Sequence, residues 1–104
     1  FTLRTGETVR HVPLHDILFF ETAPVPHHVL LHTSNSRMDF LGSLNELELQ
    51  LGDRFIRTHR AYLVAADQIE AVDLKHNKLW AGGHACLLSR AGKAELRKKM
   101  GGNR

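Results

Sequence analysis

Short apolar runs separated by turn-forming residues set the pattern of this chain. The breakers recur as "TGE" at 5–7, "APVP" at 23–26, "TSNS" at 33–36, "LGD" at 51–53, "KHN" at 75–77 and "AGG" at 81–83. Runs rich in β-branched and aromatic residues between such breakers read as strands of an antiparallel or mixed β domain with tight connections. They predict strands near Phe1–Arg4, Glu7–His11, Ile17–Thr22, His28–Thr33, Arg37–Leu41, Ala61–Val64, Ile69–Leu74, Lys78–Ala81 and Ala85–Ser89. Nine short strands leave little room for helix.

One stretch departs from the strand period. In "GSLNELELQLGD" Ser43 is followed three residues on by Glu46, the form of a capping box, and Leu44, Leu47 and Leu51 share one helical face. Gly52 supplies the stop. A sparser helix is predicted through "GKAELRKKM" at 92–100, with Ala94, Leu96 and Met100 as its apolar contribution and glycines after it. No internal repeat, low-complexity segment or linker divides the sequence.

A chain of 104 residues is expected to form one domain across 1–104, with a core that needs neither metal nor disulfide. Its 42% hydrophobic and 24% charged residues are globular values and argue against disorder. No stretch approaches the roughly 20 apolar residues of a membrane span. With no methionine at Phe1, the expectation is a soluble, cytoplasmic fragment of a longer protein. The single cysteine, Cys86, excludes an internal disulfide and sits in the apolar run "ACLLS", where a buried, inert thiol is expected.

The formal charge of +3 is unevenly spread. Residues 1–89 hold eight Lys/Arg against ten Asp/Glu, a balance of −2, whereas residues 90–104 hold six against Glu95 alone, a balance of +5. The basic character is therefore mostly the tail, which by itself is weak support for a nucleic-acid partner.

Eight histidines raise the question of metal. His27 and His28 are adjacent and would point to opposite faces of a strand. Pro13 breaks the helix that a His11/His15 pair would need, and one cysteine makes no zinc-type spacing. Cys86 is no exposed nucleophile, no serine lies in a nucleophile elbow, and "AGGHA" lacks the spacing and lysine of a phosphate loop. Convergence of Asp16, Glu21 and histidines as an acid–base site stays a distant reading. No catalysis and no cofactor are expected.

Cationic groups instead cluster near predicted turns and strand ends. His27 and His28 follow the Pro-bounded loop, Arg57, His59 and Arg60 lie in "RFIRTHRAYLV" at 54–64, and Arg90 and Lys93 follow the "CLLS" strand. Taken singly each reads as a solvated side chain; as three loops on one scaffold they form a candidate surface for phosphates and base edges. One good helix does not make a helix-turn-helix unit, so duplex recognition here would come from strands and loops. In "RFIRTHRAYLV", Phe55, Tyr62 and Val64 are assigned to the core, His59 and Arg60 to the partner, Arg54 to solvent, and Arg57 to either.

The blocks "PLHDILFFE" at 13–21, "LGSLNELELQL" at 41–51, "RFIRTHRAYLVAADQIEAVD" at 54–73 and "LLSRAGKAEL" at 87–96 together resemble the LytTR DNA-binding domain, nearest to those of AgrA-like response regulators of bacterial quorum sensing. The resemblance spans nearly the whole chain. It implies a mostly β fold of about ten short strands in three small sheets, with one short helix and a C-terminal one. It also implies sequence-specific double-stranded DNA binding in transcription regulation, with loops in successive major grooves at promoter direct repeats, a receiver domain earlier in the same two-component chain, and pairs on tandem sites.

Carried over position by position, His27 and Arg90 fall at base-contacting positions and Arg60 at the central contact of the "RTHR" block. His28, Arg37, Arg57, His59, Ser89 and Lys93 complete the implied DNA-binding set, mostly as backbone contacts. Arginine can pair in bidentate fashion with the N7 and O6 edge of guanine, a contribution of about 1–3 kcal/mol to discrimination. Histidine donates to a base N7 or a phosphate more strongly when protonated, so affinity is expected to rise somewhat as pH falls. A binding curve that stays flat between neutral and mildly acid pH would count against His27 and His28 as contacts.

Three departures stand out. The family's asparagine after "YLV" is Ala65, with Asp67 as the candidate to close that turn, and its serine is Ala61. The paired cysteines of AgrA-like domains fall at Thr58 and Ala85, so that redox pair is absent. The alternatives kept beside DNA are a β-rich RNA or single-strand binder, for which only Trp80 looks free to stack, and a module that recruits a protein through an exposed strand edge.

Overall fold

A computed structural model describes residues 1–100 of the chain. Its centre is a five-stranded antiparallel sheet in the order β5-β4-β3-β7-β6, made of β3 (Ile17–Thr22), β4 (His28–Thr33), β5 (Arg37–Leu41), β6 (Phe55–His59) and β7 (Tyr62–Ala65). Before it runs the hairpin of β1 (Thr2–Thr5) and β2 (Thr8–His11), and after it the three-stranded sheet of β8 (Ile69–Asp73), β9 (Lys78–Ala81) and β10 (His84–Leu87). Helices α1 (Leu44–Leu51) and α2 (Arg90–Met100) complete the architecture. Ten strands in three sheets with one short and one C-terminal helix is the fold that the family resemblance implies, one strand more than the nine read from the residues.

Both faces of the central sheet are covered. Ile17, Leu18, Phe19 and Phe20 are all buried in succession, the signature of a strand with cores on two sides. Phe20, Leu31, Phe55 and Leu63 face one core with α1 and the N-terminal hairpin, while Phe19 and Val64 face a second with Leu79, Cys86 and Leu88 of the C-terminal part. Phe19, Phe20, Phe40 and Phe55 are all buried. Burial pushes the Cys86 thiol up to about 12, so it is a protonated, unreactive group at neutral pH. Among the described residues no helix is long and apolar enough to cross a membrane.

The predicted helix at 43–52 forms as its sequence dictates: the Glu46 amide donates to Ser43 Oγ at 3.1 Å, Leu44 and Leu47 are buried, and Gly52 ends it at φ +67°. The C-terminal helix starts two residues earlier than its predicted segment. Of its predicted apolar residues Leu96 is half-buried, whereas Ala94 and Met100 are exposed and the buried residue is Gly92. The glycines at 101 and 102 lie outside the described residues.

The strand β6 is absent from the sequence prediction. It is enclosed between α1 on the face of Phe55 and Arg57 and α2 on the face of Thr58, so its polar residues are interior and no polar/apolar alternation marks it. Thr58 is wholly buried and its hydroxyl donates to the Leu87 carbonyl at 3.0 Å. The turn after β7 closes through a 3₁₀ step at Ala66–Gln68, and Gln68, rather than Asp67, reaches across to the His15 carbonyl at 3.1 Å.

Between the central sheet and the C-terminal part lies His32, stacked on Phe19 with ring centroids 4.2 Å apart and hydrogen-bonded to Glu21 at 2.6 Å. Burial pulls its pKa below the ordinary histidine value, outweighing the hydrogen bond and charge of Glu21. Below that ordinary value the unfolded chain takes up a proton here that the folded chain resists. This contribution to stability is therefore full above the unfolded pKa and is lost as pH falls toward the lowered folded one. The urea midpoint is expected to drop as pH falls below the ordinary histidine value of 6.5, and His32→Gln should flatten that drop. An unchanged pH dependence in the variant would place the proton-sensitive group elsewhere.

Candidate nucleic-acid interface

One end of the central sheet gathers three loops. The Thr22 amide donates to the Ala61 carbonyl at 3.1 Å, binding the β3–β4 loop to the β6–β7 turn, and the Gly42 amide donates to the His27 carbonyl at 2.9 Å. The Ser89 amide donates to the Thr58 carbonyl at 2.8 Å, which draws in the start of α2. His27, Arg60 and Ser89 lie on these connections, and His28, Arg57, His59, Arg90 and Lys93 lie beside them at the adjoining ends of β4, β6 and α2. Arg37 does not. It pairs with His32 in the β4–β5 register, beside the turn at the opposite end of the sheet.

His27 occupies the left-handed region at φ +66°, a conformation uncommon outside glycine, though histidine is among the side chains enriched there. The His28 amide donates to the Val25 carbonyl at 3.2 Å, closing the turn and leaving the His27 ring exposed. The His28 ring is tied by Nδ1 to Asp39 Oδ1 at 2.6 Å, which leaves Nε2 for a partner.

Arg57 is the most heavily engaged of the set. Its Nε donates to the His59 carbonyl at 3.0 Å and its Nη2 to the Arg60 carbonyl at 2.6 Å. Its Nη1 donates to Asn45 Oδ1 at 2.8 Å and Glu48 Oε1 at 2.9 Å. Neither Asn45 nor Glu48 was legible as part of a site from sequence, since both fall on the polar face of α1. In the turn that Arg57 spans, His59 Nδ1 accepts from the Ala61 amide at 3.0 Å, so the neutral ring carries its proton on Nε2. Burial, then the charges of Arg60 and Arg57, hold its pKa below the usual value. His59 thus offers a neutral donor beside the exposed cation of Arg60.

Ser89 caps α2: its hydroxyl accepts from the Gly92 amide at 3.0 Å and donates to the Thr58 carbonyl at 3.3 Å. The first turn of α2 carries Arg90 and Lys93 and no acidic residue. Cations at a helix N-terminus oppose the dipole, and an anion seated there would relieve both. The nearby acids are engaged internally, Glu48 with Arg57 and Asp39 with His28. The result is a surface of donors and cations on a scaffold fixed by main-chain hydrogen bonds.

Residues 7–101 match the sequence model of the LytTr DNA-binding domain. Over 73 residues, 70% of this chain and 30% of the relative, the sequence is 38% identical to the accessory gene regulator protein A of Staphylococcus aureus strain N315. It is 33% identical over 88 residues, 84% of this chain and 37% of the relative, to the protein of that name in Staphylococcus epidermidis. The chain thus spans about a third of the length of these relatives. The fold superposes on a solved LytTr DNA-binding domain from Bacillus cereus with a TM-score of 0.79 at 24% identity, covering 97% of this chain and 95% of that one.

Proposed function

The chain belongs to the LytTR DNA-binding domain family, and from that premise we propose that it is the duplex-binding part of a bacterial transcriptional response regulator, sequence-specific and without catalysis. The observation that carries this reading is the convergence of three cation-bearing loops on one end of the central sheet, with the neighbouring acids paired internally. His27, Arg60 and Arg90 are assigned to base edges, with His28, His59 and Lys93 on the phosphates. The loops enter successive major grooves at promoter direct repeats.

In the same proposal the chain follows a receiver domain in a cytoplasmic, quorum-sensing two-component regulator, and copies bind in pairs on tandem sites. A single-strand reader would need exposed rings on a sheet, whereas the phenylalanines of the strands are buried and Trp80 is half-buried. The test is selection from a randomised duplex library, followed by affinity measured across salt concentrations. Enrichment of a short motif as direct repeats, with affinity falling steeply as salt rises, is expected. No enrichment at low or moderate salt would overturn the reading.

The His27 backbone supplies a prediction that separates binding from folding. His27→Gly suits φ +66°, so stability is expected to stay within about 1 kcal/mol of the parent while duplex affinity falls. A melting temperature and an anisotropy titration on the same sample check both halves. Retained affinity would remove His27 from the contact set.

A further inference from the structure

We propose that Arg57 is a positioning residue rather than a DNA contact: it fastens the His59–Arg60 turn to α1, and the DNA acts on the turn that Arg57 shapes. The proposal rests on the duplex-binding reading above. A guanidinium has five N–H donors, and four of those of Arg57 are spent on the His59 and Arg60 carbonyls, Asn45 and Glu48. Its side chain is only 19% exposed. A phosphate would have to compete with a carboxylate already 2.9 Å from Nη1, and turning toward it would abandon the two carbonyls that define the turn.

The geometry explains why the position needs arginine. The chain leaves β6 through a register irregularity between Arg57 and His59, and the turn that follows presents the His59 and Arg60 carbonyls to the guanidinium. Planar donors on Nε and Nη2 take up these two carbonyls on one side while Nη1 reaches α1 on the other. A lysine ammonium, a single point of charge, cannot span both sides. Glu48 is the counter-ion that keeps the guanidinium facing inward, so an acid of α1 serves a surface meant for an anion.

The experiment compares wild type, Arg57→Ala, Arg57→Lys, Glu48→Gln and Lys93→Ala on the selected duplex. Affinity is measured across salt concentrations, and amide hydrogen exchange at 59–61 in the free protein. Loss of a phosphate contact lowers the slope of log affinity against log salt by about 0.9, as expected for Lys93→Ala. Arg57→Ala and Arg57→Lys are expected to weaken binding about tenfold or more at every salt concentration with the slope unchanged, and to speed exchange at 59–61. Glu48→Gln, which removes the counter-ion that keeps the guanidinium turned inward, should move both readouts in the same sense, and it stands in if the Arg57 variants do not fold. A slope that falls by about 0.9 in Arg57→Lys, or affinity and exchange both unchanged in Glu48→Gln, would overturn the proposal. Failure of wild type to bind any duplex would instead overturn the duplex-binding reading.

Discussion

Replacing Gly92 with alanine is expected to destabilise the domain by about 3 kcal/mol or more, against the sign that helix propensity alone predicts. Within a helix alanine is favoured over glycine by about 1 kcal/mol. Here a Cβ on Gly92 would stand 2.9 Å from Thr58 Cα and closer still to the Thr58 carbonyl carbon and oxygen. All of these are backbone atoms, so no rotamer change relieves the clash and either β6 or α2 must move. Movement would pull apart the Ser89 bonds to the Thr58 carbonyl and displace Arg90 with them. Urea denaturation of Gly92→Ala and of the exposed control Ala91→Gly would show the first losing far more than the second. A Gly92→Ala protein as stable as its parent would mean that helix and strand do not approach this closely in solution.

Arg90→Ala is expected to cost about 1–3 kcal/mol of binding to the preferred duplex and to relax selection at a single base pair. Arg90 is exposed at the first position of α2, so the fold loses little and the effect is read in recognition. Repeating the library selection with the variant distinguishes the two ways an arginine can contribute. A bidentate pair with guanine predicts one degenerate position in an otherwise unchanged motif. A motif kept intact with affinity uniformly weakened and a shallower salt dependence would place Arg90 on a phosphate instead.

The parts of this fold that were legible in sequence are those whose physics is local. Breakers and strand formers mark the central hairpins, and the Ser43–Glu46 box and Gly52 bracket α1. What escaped is decided by tertiary enclosure: β6 carries Arg57, Thr58 and His59 in a run that looks solvated, yet Thr58 is fully buried and Arg57 is half-buried. The same enclosure hid the contact of α2, because a buried glycine has no apolar side chain to show. In the candidate interface, residue types and turn positions pointed to His27, His59, Arg60 and Arg90. The partners of Arg57, the capping role of Ser89 and the remoteness of Arg37 required the register, which no local pattern encodes.

The outer margin of β6 is occupied from within. Its Thr58 carbonyl is taken by Ser89 and its Phe55 carbonyl by Lys99 at 3.5 Å, both from the chain that forms α2. An open edge strand is a template for another chain, and copies seated side by side on tandem repeats would meet at high local concentration. With this margin closed, neighbouring copies cannot fuse their sheets through β6 into a longer ribbon. On the proposed tandem sites, the distance between copies would then be set by the duplex, and occupancy of adjacent repeats would stay reversible.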